Sequence, residues 1–129
     1  MADNREAAGH GTLTVVRTDA DGITVLGLEG EIDHQSVGGL TRALVPADSA
    51  VGQRVVIDLS RVTFMDSSGV NALIAAFQAA ANAGGWLRLV VVRGAVLRTL
   101  QLVGLDTVIP FHPTLEDALA AARPEPGKS

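Results

Sequence analysis

The chain has 129 residues, enough for one domain with a real hydrophobic core and no need of covalent staples. It is 47% hydrophobic but only 3% aromatic, carries a formal net charge of −4 and contains no cysteine. The missing cysteines exclude disulfides, thiolate metal sites and a cysteine nucleophile. Without a run of Lys or Arg, the chain also lacks the basic face of a nucleic-acid binder. Its longest aliphatic run, Leu89-Val90-Val91-Val92, is far too short to span a bilayer. Met1-Ala2-Asp3-Asn4-Arg5-Glu6 has no apolar core of a signal peptide. The expectation is a soluble, cytoplasmic protein.

Residues 1–11 are polar and aperiodic and read as a flexible N-terminal arm. Thr12 to Thr18 and Ile23 to Leu28 are short β-branched segments around the turn cluster Asp19-Ala20-Asp21-Gly22, which predicts a β-hairpin. Gly30-Glu31-Ile32-Asp33 leaves the second strand. Val37, Leu40 and Leu44 then recur at helical spacing and predict a helix to about Val45, stopped by Pro46. Asp33 or Ser36 can cap it by accepting a free N–H of the first turn. Gly38-Gly39 weakens this helix by about 1 kcal/mol per glycine, unless another backbone packs closely there.

Arg54 to Leu59 is apolar except for Asp58, as expected of a strand covered on both faces. A short polar loop leads on to a helix beginning at Ser67 or Ser68. Val70, Leu73, Ile74, Phe77, Ala80 and Ala81 form its apolar stripe, with Asn71, Gln78 and Asn82 off it. Gly84-Gly85 ends this helix, and Trp86 to Val92 is the next buried strand. Val96, Leu97, Leu100 and Val103 mark a third helix stopped by Gly104, and Val108-Ile109 reads as a very short strand. Thr114 caps a last helix whose first turn holds Glu116 and Asp117, favoured by the helix dipole. Residues 123–129 are a flexible tail. Strands alternating with about four helices after an initial hairpin predict a single α/β domain over 12–122, with a mixed, mostly parallel sheet.

The chemistry concentrates at Asp66-Ser67-Ser68-Gly69. A helix N-terminus exposes unpaired N–H groups and a partial positive charge. A serine there caps the helix, accepts a phosphoryl group, or acts as a nucleophile. Two adjacent hydroxyls allow one to cap while the other faces solvent, and Gly69 leaves backbone and hydroxyls open to a partner. The nucleophile reading lacks the Gly-x-Ser-x-Gly elbow and needs a base from His10, His34 or His112, of which His34 is best placed. Asp33, His34 and Asp66 can converge, but no His-x-x-x-His spacing or phosphate loop is present, so neither metal nor cofactor is expected. A phosphate at Ser67 would add about −1.5 to −2 charges beside Asp66, Glu31 and Asp33, so the site reads as an off-switch for binding.

Gly30-Glu31-Ile32-Asp33-His34, the run Val56-Ile57-Asp58-Leu59-Ser60 through Phe64-Met65-Asp66-Ser67-Ser68-Gly69, Gly84-Gly85-x-Leu87-x-Leu89, and Val96-Leu97 through Gly104-Leu105-Asp106 occur in order along nearly the whole chain. Together they resemble the anti-sigma-factor antagonists, the stand-alone STAS-domain proteins of bacterial sigma-factor regulation. Met65-Asp66-Ser67-Ser68-Gly69 after a strand is the most specific part.

The resemblance implies a non-enzymatic binding protein with an anti-sigma factor bearing serine-kinase activity as its partner. The unphosphorylated form would bind that factor and free a sigma factor. Phosphorylation at Ser67 would end the binding, and a PP2C-type serine phosphatase would reset it. It also implies that Asp33 lies near the phosphoserine. Glu31, Asp33, His34, Asp66, Ser67, Ser68, Gly69 and Asn71 are the expected switch surface. Two departures stand out. Gly69-Val70-Asn71 replaces the usual Gly-Leu-Gly, which bears on which kinase docks, and Arg93-Gly94 replaces a loop that usually holds proline. The alternatives are a constitutive STAS-type scaffold or ligand sensor in which Ser67 only caps, and, more remotely, a serine hydrolase using Ser67 with His34.

Overall fold

A computed structural model describes residues 13–20, 22–44, 54–91 and 94–122. The elements run β1 (Leu13–Ala20), β2 (Ile23–Ile32), α1 (Val37–Leu44), β3 (Arg54–Met65), α2 (Ser67–Asn82), β4 (Trp86–Val90), α3 (Ala95–Leu102), a 3-10 turn (Leu105–Thr107), β5 (Phe111–His112) and α4 (Leu115–Ala122). The five strands lie side by side in chain order. β1 is antiparallel to β2, and β2 through β5 are parallel, which is the expected mixed sheet with its hairpin. The terminal arm and tail, Val45 and the stop at Pro46 lie outside the described residues. No helix among the described residues is long and apolar enough to cross a membrane.

Parallel crossovers are right-handed, so a sheet that grows in one direction receives its connecting helices on one face. Accordingly Leu40 of α1, Val70 and Leu73 of α2, and Val96 and Leu100 of α3 share a core with Leu26, Ile57, Leu59, Leu87 and Leu89. α4 follows the last strand and is not bound by that rule. Its Ala118 joins a smaller cluster with Ile23, Val25, Val56 and Val90, the residues that alternate with the main core's along the strands. Thr114 caps α4 as expected, its Oγ1 accepting the Asp117 N–H at 3.0 Å. α2 ends on Gly84 at φ 84°. The Gly85 N–H reaches the Ala80 carbonyl at 2.8 Å and the Gly84 N–H that of Ala81 at 3.1 Å, the paired closure that a left-handed residue permits.

The largest departure from expectation is β3. Ser60 to Phe64, read as a polar loop, continues the strand to Met65. Its partners run Gly27↔Asp58, Glu29↔Arg61, Gly30↔Val62, Glu31↔Phe64 and Ile32↔Met65, so β3 twice inserts an extra residue against β2. From these bulges on, burial recurs at every third residue: Leu59, Val62 and Met65 are buried, with exposed pairs between them. Side chains brace both irregularities. Asp58 Oδ1 accepts from the Ser60 N–H at 2.9 Å and the Ser60 hydroxyl at 2.6 Å. Thr63 Oγ1 donates to the Gly30 carbonyl at 3.3 Å.

Smaller corrections have equally local causes. The last strand is Phe111–His112 rather than Val108-Ile109, because both of those N–H groups are bonded to the Leu105 carbonyl and cannot join a ladder. Val103 is exposed because it lies past the last turn of α3, and Ala81 because it flanks the stripe in the final turn of α2. Among the described residues, no backbone outside the helix approaches the α1 glycines: a Cβ on Gly38 would meet only Arg42 Nη1, at 3.4 Å, and one on Gly39 nothing within 4 Å.

The outer edge of the sheet carries a contact that titrates. Arg88 Nη1 donates to His112 Nε2 at 3.2 Å, and its guanidinium lies 5.3 Å from the ring centre of the half-buried Trp86. Burial, and then the Arg88 charge, hold His112 below the ordinary 6.5, against the opposite pull of Asp117 on α4. The folded state therefore favours the neutral ring. This contribution to stability is complete above pH 6.5 and is lost as pH falls from there through the lower folded-state value. The melting temperature is expected to fall from about pH 7.5 to about pH 5.5, and less steeply in His112→Gln. An unaltered pH slope in that variant would assign the effect elsewhere.

Candidate functional site

β2 and β3 are parallel, so their carboxyl ends reach the same edge of the sheet, where α/β domains commonly hold ligands. Ile32 pairs with Met65, and the Asp66 N–H donates to the Ile32 carbonyl at 3.1 Å. The segments leaving these strands begin with Asp33 and Asp66, at neighbouring strand ends.

Asp66 is extended (φ −103°, ψ −169°) and serves as the N-cap of α2. Its Oδ1 accepts the Ser68 N–H at 2.8 Å, and its carbonyl takes the N–H groups of Gly69 and Val70 at 3.0 and 3.2 Å. This corrects the expectation that a serine caps. The carboxylate, a stronger acceptor than a hydroxyl, occupies the one position from which the cap bond is made. Ser67 becomes the first helical residue and is exposed, while Ser68 follows, half-buried. Replacing Asp66 by alanine is expected to lower stability by about 1 kcal/mol, with Asp66→Asn close to wild type. Equal losses for the two in denaturant titrations would deny the cap its role.

Gly69 does not face outward, which corrects its assignment to an open partner surface. It is buried, and a Cβ there would lie 2.6 Å from Met65 Cγ, 2.9 Å from Ile32 Cγ2 and 3.2 Å from Met65 Sδ. The missing side chain lets the first turn of α2 settle directly on the ends of β2 and β3. Gly69 thus positions Ser67 from beneath. Asn71, two residues on, is exposed.

On the β2 side, Asp33 and Ser36 cap the entrance to α1 together rather than one in place of the other. Asp33 Oδ1 accepts from the Gln35 N–H at 3.1 Å and the Ser36 N–H at 2.9 Å. Asp33 N–H donates to Ser36 Oγ at 3.0 Å, closing a reciprocal box. The buried Ser36 hydroxyl lies 2.8 Å from the Glu31 carbonyl and 3.0 Å from Asp33 Oδ1. The Ser36 N–H, then its hydroxyl, then the Gln35 N–H and the His34 charge hold the Asp33 carboxyl below its ordinary 3.8, outweighing desolvation. Asp33 therefore stays ionised and half-buried beside the α2 entrance. Glu31 and His34 are exposed, and among the described residues no hydrogen bond joins His34 to Ser67. The reciprocal role of Ser36 and the outward turn of Phe64 escape sequence reasoning. Ser36 three residues after Asp33 was the available signal for the first.

A family model for the STAS domain matches residues 14–118 of the chain. The anti-sigma-F factor antagonist RsfB of Mycobacterium tuberculosis is 37% identical over 116 residues, covering 87% of this chain and 91% of that protein. An anti-sigma F factor antagonist of Paenibacillus polymyxa is 28% identical over 102 residues, covering 76% and 85% respectively. The crystal structure of an anti-sigma factor antagonist from Mycobacterium paratuberculosis superposes with a TM-score of 0.77 at 38% identity, over 87% of this chain and 95% of that one. With its sheet order, its helices and the Asp66–Gly69 helix entrance, the chain belongs to the STAS-domain family, beside relatives that are anti-sigma-factor antagonists.

Proposed function

We propose that this protein is an anti-sigma-factor antagonist that works in the cytoplasm by binding, with no catalysis of its own. Its unphosphorylated form binds an anti-sigma factor with serine-kinase activity and so frees a sigma factor. Phosphorylation of Ser67 by that kinase ends the contact, and a PP2C-type serine phosphatase restores it. The contact surface comprises Glu31, Asp33, His34, Asp66, Ser67, Ser68 and Asn71, with Gly69 seating it from below.

The observation that carries this reading is the division of labour at the entrance of α2. Asp66 makes the cap bond, and the Ser67 hydroxyl is left exposed at the first helical position. An acceptor hydroxyl must be reachable by a kinase, and its phosphate must then be tolerated by the fold. A helix N-terminus supplies that tolerance through its N–H groups and dipole.

Incubation with the cognate kinase and ATP tests the assignment by intact mass. Wild type and Ser68→Ala are expected to gain one phosphate, and Ser67→Ala none. Labelling that survives in Ser67→Ala but disappears in Ser68→Ala would move the acceptor to Ser68. Stable partner binding indifferent to kinase and ATP would support the scaffold reading instead, and labelling by a fluorophosphonate probe the hydrolase reading.

A further inference from the structure

Resting on that functional reading, we infer that Phe64 is the apolar anchor of the contact, seated in an apolar pocket of the anti-sigma factor. The chain has three phenylalanines. Phe77 and Phe111 pack against the main core, whereas Phe64 is 48% exposed. Simple strand alternation from the buried Val62 would turn Phe64 inward and Met65 outward. The second bulge of β3, between the pairs Gly30↔Val62 and Glu31↔Phe64, reverses this, exposing Phe64 and burying Met65. Bulges recur beside functional sites, where they re-aim a side chain.

This one lies just before the proposed phosphorylation site. Phe64 is two residues ahead of the cap Asp66 and directly opposite Glu31, so it is continuous with the surface that presents Ser67. Aromatic side chains are enriched in the buried centre of protein contacts. The other large exposed hydrophobics include Leu102, Val103 and Val108 near the end of α3, away from these residues in the chain, and Leu102 supplies a control.

Isothermal titration of the cognate anti-sigma factor with the unphosphorylated full chain tests the inference. Phe64→Ala is expected to bind about 30-fold more weakly or worse, as an interface hot spot would, with an unchanged circular dichroism spectrum. Phe64→Thr, a strand-favouring residue, should show the same loss and covers any disturbance of the strand by alanine. Leu102→Ala should bind as wild type. Wild-type binding matched by Phe64→Ala and Phe64→Thr would overturn the anchor and leave the functional reading standing. A loss of equal size in Leu102→Ala would also overturn it. Absence of binding by the wild type would overturn the functional reading itself, and the anchor with it.

Discussion

Phosphorylation of Ser67 is expected to weaken binding to the anti-sigma factor by a few hundredfold while leaving the fold intact. The phosphate adds about −1.5 to −2 charges at neutral pH. At an effective dielectric of about 20, one like-charge pair roughly 8 Å apart opposes burial by about 2 kcal/mol. Asp33, held ionised by Ser36, and Asp66, fixed as the cap, are the charges placed to do this. A total of about 3–4 kcal/mol corresponds to that few-hundredfold change.

In the free protein Ser67 is exposed, so solvent screens these charges, and the dipole of α2 favours an anion in its first turn, which holds no acidic residue of its own. Ser67→Asp, with a single charge, should lose about tenfold to a hundredfold in affinity. Its melting temperature should hold or rise slightly. Titration calorimetry and thermal unfolding on the same samples separate the two effects. Loss of binding together with loss of the melting transition would show that the site governs folding rather than contact.

The second large effect is expected at Gly69. Alanine ordinarily favours a helix interior by about 1 kcal/mol over glycine. Here the new Cβ would meet Met65 at 2.6 Å and Ile32 at 2.9 Å, distances that require something to shift. Both neighbours are buried, and the β-branched Ile32 side chain cannot swing aside. Relief must come from lifting the first turn of α2 off the strand ends. Overpacking of this kind costs about 1–3 kcal/mol or more, which outweighs the helical gain. Gly69→Ala is expected to be destabilised by about 2 kcal/mol, lowering the melting temperature by roughly 7 °C for a domain of this size. Gly69→Val should lose more. Because the same turn carries Ser67, partner binding by the folded fraction should fall as well. A melting temperature at or above wild type in Gly69→Ala would show that helix propensity governs this position and that the contact is easily relieved.

These two residues also mark where sequence reasoning stops. Ser67, Asp66 and Asp33 are legible because their positions follow from local signals: an apolar strand, a cap residue and an amphipathic helix, repeated twice in parallel. Gly69 is legible as a small residue, but its reason is not. Whether an absent side chain opens a surface or admits a neighbour depends on Met65 and Ile32, and Ile32 arrives from a strand distant in sequence. The continuation of β3 is hidden for a related reason. Its buried residues Leu59, Val62 and Met65 recur at intervals of three, a period that belongs neither to a regular strand nor to a helix. Only pairing with β2 forces the two bulges that produce it.

The sequence by itself determined the α/β class, the order of elements, the hairpin and the helix-entrance motif, since hydrophobic period and turn chemistry act within a few residues. Tertiary structure alone decided that Gly69 faces inward and that Phe64 faces out. Each of those depends on register between strands, and register is set by contacts between segments far apart in the chain.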